Sequence, residues 1–240
     1  MKPFITGKVK KMKSVITSLF ILFWSHCLYA KSDIVVDIAY ADQHLGQSQH
    51  VNIVDLIGND YTVNQSRQSN VMVGLSYYRP YVSAFSDLHF LYGLNLAFFN
   101  TNQIQGDIVQ ENLFSNLSYS YNAIHLPIYA SLKTQVKSWV LEAGIGPNIM
   151  FLYNYHENAI QPSSIPTRTF LSNTAVTFSA NAGLAYQFPT SFLRHPIELG
   201  YRFFYLGKGQ FSPSSNQVLS ALKTSNIYVN TLVFSITFED

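Results

Sequence analysis

The chain has 240 residues, 48% of them hydrophobic and only 12% charged, about half the ~25% charge of an ordinary soluble domain. The aromatic share is 15%, with 18 Phe and 16 Tyr against 2 Trp, an excess that places rings at boundaries as well as in a core. The formal net charge of +2 excludes little by itself, because five lysines crowd into residues 1–13.

Residues 1–13 (MKPFITGKVKKMK) contain no acid and precede VITSLFILFW and SHCLYA. A basic start, a short apolar core and a small residue at Ala30 predict a signal peptide over 1–30, cleaved after Ala30, with a mature domain over 31–240. The apolar run from Val15 to Trp24 is about half of the ~20 residues that a spanning helix needs. Without those five lysines, ten Lys+Arg remain against 13 Asp+Glu, so the mature chain is acidic, at −3, and nucleic acid is not an expected partner. Cys27, the only cysteine, also lies in the leader, which leaves no disulfide in the mature domain. No other run of 18 apolar residues occurs, so a membrane form has to be a closed barrel.

From residue 31 onward the dominant period is two, and eight segments carry it. Ile34, Val36, Ile38 and Tyr40 share one face. Val71, Val73, Leu75 and Tyr77 follow, and then the row from Leu88 to Phe98, opposed by His89, Gly93, Asn95 and Ala97. The fourth segment sets Leu126, Ile128, Ala130 and Leu132 against His125, Tyr129, Ser131 and Lys133. The fifth runs from Trp139 to Phe151 with Glu142, Gly144, Gly146 and Asn148 opposite, and the sixth spans Val176–Phe188. In the seventh, Ile197, Leu199, Tyr201, Phe203 and Tyr205 oppose Glu198, Gly200 and Arg202. Tyr228, Leu232, Phe234, Ile236 and Phe238 form the eighth.

In each segment the second face is small and polar, which predicts large side chains on lipid around a narrow polar lumen. A β-sandwich would bury the bulky faces and set Lys and Glu outside. The connections alternate short and long. Ser86-Asp87, Thr134–Ser138 and Pro189–His195 are short, whereas 47–69, 100–116, 154–173 and 207–225 are long and polar. The expected fold is therefore all-β, an eight-stranded antiparallel up-and-down transmembrane β-barrel with turns on one rim and loops on the other. Aromatics near the strand ends, among them Tyr77, Tyr78, Phe98, Phe99, Trp139, Phe151, Tyr155 and Phe238, are expected to form two girdles. Pro127 inside the fourth strand predicts a bulge. Val51–Ile57 is an alternative first strand, and Asp55 in its apolar face favours reading it as a loop or an outer hairpin.

The segments IELGYRFFYLGKG, IHLPIYASLK, GIGPN and the end NIYVNTLVFSITFED resemble the small outer-membrane β-barrel proteins of Gram-negative bacteria, the OmpA-like and opacity-protein-like group. The resemblance covers the mature chain and implies outer-membrane lipid and lipopolysaccharide as surroundings, the barrel-assembly machinery as insertion partner, and a host or extracellular ligand for the loops. Members usually end on an aromatic residue, whereas here Phe238 is followed by Glu239-Asp240.

Chemistry is sparse. A lipid A deacylase barrel sets His and Ser two residues apart on one strand face, and no histidine here has Ser at that position. His156-Glu157 lacks the second His of a zinc helix, and Gly207-Lys208-Gly209 lacks the rest of a phosphate loop. No catalytic, cofactor or metal residue is assigned. The candidate site is a lumen charge network of Asp37, Lys133, Glu142, Glu198 and Arg202, with His89 and His125 on the same inward faces. Glu198 and Arg202 stand four residues apart on one strand, ~13 Å by strand rise, too far to pair. Glu142 or Asp37 is expected to partner Arg202, and Lys133 to partner Glu198, as a structural plug or as a gated ion path. The expected function is an outer-membrane protein that presents four extracellular loops, with a structural or adhesin-like role. A narrow pore or small hydrophobic-molecule channel is the alternative, and a lipid-modifying enzyme is third.

Overall fold

The computed structural model describes residues 32–54, 59–64, 67–81, 89–110, 115–162, 165–166, 168–189 and 195–239. The signal peptide and its cleavage site, the Ser86-Asp87 turn, Asp55 and the side chain of His89 lie outside them.

Eight strands form a ring in chain order: β1 (Asp33–His44), β4 (Arg67–Tyr81), β5 (His89–Gln110), β6 (Ser115–Val136), β7 (Trp139–Ala159), β9 (Asn173–Gln187), β10 (Ile197–Gly207) and β12 (Ile227–Glu239). Each pairs antiparallel with its neighbours, and the β1–β12 pairing joins the first to the last. Strand one is thus β1. Part of the Val51–Ile57 alternative falls in β2 (Gln49–Val51), which pairs with β3 (Asn59–Val63) as a hairpin whose second strand continues along the outer end of β5. Two short strands, β8 (Phe170–Leu171) and β11 (Ser212–Pro213), pair outside the ring.

The outward faces are those the period of two predicts. Ile38, Tyr40, Leu75, Leu94, Leu141, Phe178, Leu199, Tyr201 and Leu232 are all exposed, while Asp37, Ser76, Asn95, Glu142 and Arg202 are buried. A closed antiparallel ring has no free edge, and its outward apolar band meets hydrocarbon in place of water. Asp33 lies opposite Glu239, so the start of β1 and the end of β12 both sit at the rim that holds the tight Lys137-Ser138 turn. The long connections gather at the other rim.

Four expectations are corrected. First, Pro127 produces no register shift. The ladder passes from Leu96/Ile128 to Phe99/His125 on one side and from Pro127/Asn148 to Ala130/Ile145 on the other with its offset unchanged. The bulges lie further out, between the Phe99 and Asn102 pairs of β5 and at Ser120/Asn122 of β6. Secondly, the supposed loops 100–116 and 154–173 are in large part strand. β5 and β6 run 22 residues each and β7 runs 21, about twice the 9–11 a bilayer requires. Thirdly, Tyr78, Phe99 and Tyr155 are not girdle residues, since all three point inward and are buried. Fourthly, only the turn-side half of the lumen is small and polar.

Candidate functional site

The turn-side half of the lumen holds the charges. Arg202 on β10 donates from Nη1 to Asp37 Oδ2 at 2.8 Å and from Nη2 to Glu142 Oε2 at 2.7 Å. Lys133 on β6 donates from Nζ to Glu198 Oε1 at 2.7 Å. The second oxygens of Asp37 and Glu142 are also used: Ser235 donates to Asp37 Oδ1 at 2.6 Å, and Asn95 to Glu142 Oε1 at 3.1 Å. Burying a charge is costly unless it is paired and hydrogen-bonded, and every charge in this layer has at least one partner.

The register explains how strands that are not neighbours meet. Gly183 on β9 stands between Glu142 on one side and Arg202 on the other. Two strand spacings make ~10 Å, and a side chain at 183 would lie in the path, because a Cβ there would sit 3.2 Å from Arg202 Cγ. Gly74, opposite Asp37 on β4, makes room in the same way, with a Cβ position 2.9 Å from the Asp37 carboxylate. The structure thus brings all five candidate residues into one layer. His125 is buried apart from them, where Asn148 Nδ2 lies 3.3 Å from its Nδ1. Among the described residues no group of three or more His, Cys, Asp or Glu side chains is arranged to hold a metal.

The loop-side half is aromatic and aliphatic, a layer that the alternation of β5 to β7 did not announce. Arg202 lies 6.0 Å from the Phe204 ring, which packs edge-on to Phe99 at 5.2 Å. Above them Phe211 meets Tyr121 at 4.8 Å and Tyr155 at 5.8 Å, and Phe170 lies between Tyr155 and Tyr61. Phe211, Val218 and Leu222 come from the last long loop, and all three are buried. That loop is fastened by bridges between Gln210 and Lys223 and between Val218 and Ile53. Burial holds the phenols of Tyr61 and Tyr155 above their ordinary range, so both hydroxyls keep their protons, and Tyr155 donates its own to Glu157.

The ring and its lipid-facing band define a small eight-stranded transmembrane β-barrel of the outer-membrane class. No family model matches the sequence, and no curated protein does. Among solved structures the chain is similar to the outer membrane protein OprG of Pseudomonas aeruginosa, with 16% identity, a TM-score of 0.47, and 86% of this chain and 96% of that one covered. It is also similar to Ail, the attachment invasion locus protein of Yersinia pestis, in complex with the heparin analogue sucrose octasulfate (10%, TM-score 0.38, 86% and 99%). A third is the outer membrane protease OmpT of Escherichia coli (6%, TM-score 0.38, 88% and 96%). By name these proteins do unlike things, and a shared barrel does not choose among them.

Proposed function

We propose that this protein is a sealed outer-membrane barrel whose working part is the outer cap, serving envelope structure or contact with molecules outside the cell. The observation that carries this reading is a lumen filled by two layers of side chains. Beside Glu142 and Arg202 lies a cavity of about 20 Å³, about one water's worth, and above it Phe204 packs against Phe99 and Phe211 against Tyr121. Exposed apolar side chains on the loop side, Ile165 and Leu219 among them, supply contact points.

The expected outcome in planar bilayers is no stepwise ion current, together with a band whose migration on a denaturing gel changes on boiling. A steady conductance from the unmodified protein defeats the sealed reading. The apolar outer lumen favours a second reading, a carrier of small hydrophobic molecules. It requires residues 208–226 to move aside, and uptake of such a probe by vesicles that contain the protein tests it.

A further inference from the structure

In the cap, a cavity of about 250 Å³ opens between the β2–β3 hairpin, the end of β6 and the last long loop. At ~30 Å³ per water it holds about eight waters' worth, the room for one six-membered polyol ring but not for a peptide segment. Its lining is mixed. Gln217 and Ser214 bring an amide and a hydroxyl that both donate and accept. Val218 gives an apolar floor against which the C–H face of a ring packs. Glu157 and Arg168 both line it, one charge of each sign, so the lining carries no net charge that selects an ion.

Asn59 is the decisive residue. It lines this cavity and is 4% exposed; its Oδ1 accepts no hydrogen bond from the protein and is itself closed to solvent, so a ligand reaches it only as the side chain turns toward the cavity. A buried acceptor without a donor carries a desolvation cost that a donating ligand removes, and a sugar hydroxyl is such a donor. A second cavity of about 380 Å³ shares Glu157 and Arg168 with the first, which leaves space for a substituent on the ring.

We propose that the cavity beside Asn59, Ser214, Gln217 and Val218 is a binding site for a neutral sugar ring, held by a hydrogen bond to Asn59 Oδ1. This rests on the cap being the outward working surface. The test is isothermal calorimetry on the full mature protein in detergent micelles, with glucose, N-acetylglucosamine and glucose 6-phosphate as probes up to tens of millimolar. Saturable binding of a neutral sugar, weakened about tenfold or more by Asn59→Leu, is the expected result. Absence of neutral-sugar binding, an affinity unchanged by Asn59→Leu, or tighter binding of glucose 6-phosphate than of glucose overturns the proposal. Should Asn59→Leu lose its heat-modifiable migration, Ser214→Leu on the exposed wall takes its place, with the same loss expected. A failed sugar titration on a barrel that still shows heat-modifiable migration and no conductance rejects this site alone. Ionic conductance or soluble behaviour of the unmodified protein rejects the underlying reading instead.

Discussion

Arg202 is held through both of its terminal nitrogens, and the two acids it joins belong to strands that do not adjoin its own. Removing it leaves Asp37 and Glu142 without the guanidinium that joins them in a buried layer, and breaking a buried pair in this way costs about 3–5 kcal/mol. Arg202→Met is therefore expected to lower the unfolding free energy of the heat-modifiable form, read from urea titration, by an amount in that range, and a loss below about 1 kcal/mol contradicts a stabilising plug. The double change Lys133→Met with Glu198→Leu is expected to cost less than either change alone, since it strands no charge. Much of this site was legible. The inward face of each charged residue follows from alternation, and the ~13 Å between Glu198 and Arg202 already sends each to a partner on another strand. That Arg202 takes both Asp37 and Glu142 was not legible, because its reach to Glu142 depends on Gly183 clearing the path across β9, and one glycine among 12 carries no such mark.

Alternation fails at the scale of the strand where an extra residue enters. On β5 the inward residues Phe99 and Asn102 are three apart, and on β7 so are Leu152 and Tyr155, with Asn154 at φ 52° between them. β6 keeps strict alternation from Leu117 to Lys133, so both of its neighbours gain a residue on it where the wall leaves the membrane. Each added residue exchanges the two faces beyond it. That is why Tyr155 reads as a girdle residue in the sequence and is a lumen residue in the fold, and why polar stretches that read as loops continue as strand. Gly207 marks a third irregularity, where β10 slips against β12 with φ 79°. A side chain there would meet the Phe178 carbonyl oxygen and Thr177 Cβ, both at 2.7 Å. Gly207→Val is expected to destabilise the barrel by about 2 kcal/mol or more, whereas Asn154→Gly stays within about 0.5 kcal/mol, because glycine adopts the same backbone freely. Equal midpoints for the two variants contradict the strain argument.

For the whole molecule, the sealed barrel proposed above has two seals in series, one of charge and one of rings, so that opening either leaves the other. Arg202→Ala alone is expected to give no single-channel current, and neither is replacement of residues 211–222 by a short Gly/Ser linker. The combined variant is expected to conduct. Current from Arg202→Ala alone would mean that the aromatic layer does not close the passage. The second seal was the least legible part of the chain, since Phe211, Val218 and Leu222 are scattered through a segment whose Ser, Gln and Asn content resembles an exposed linker. The seam between β1 and β12 has a consequence of another kind. The first strand, β1, finds one of its two partners only in β12, which follows the other seven along the chain, so every intermediate that lacks β12 carries two open edges that hydrocarbon does not tolerate. Insertion and closure are then a single late event, and a chain cut short before residue 227 has no stable place in the membrane, however complete its other strands are.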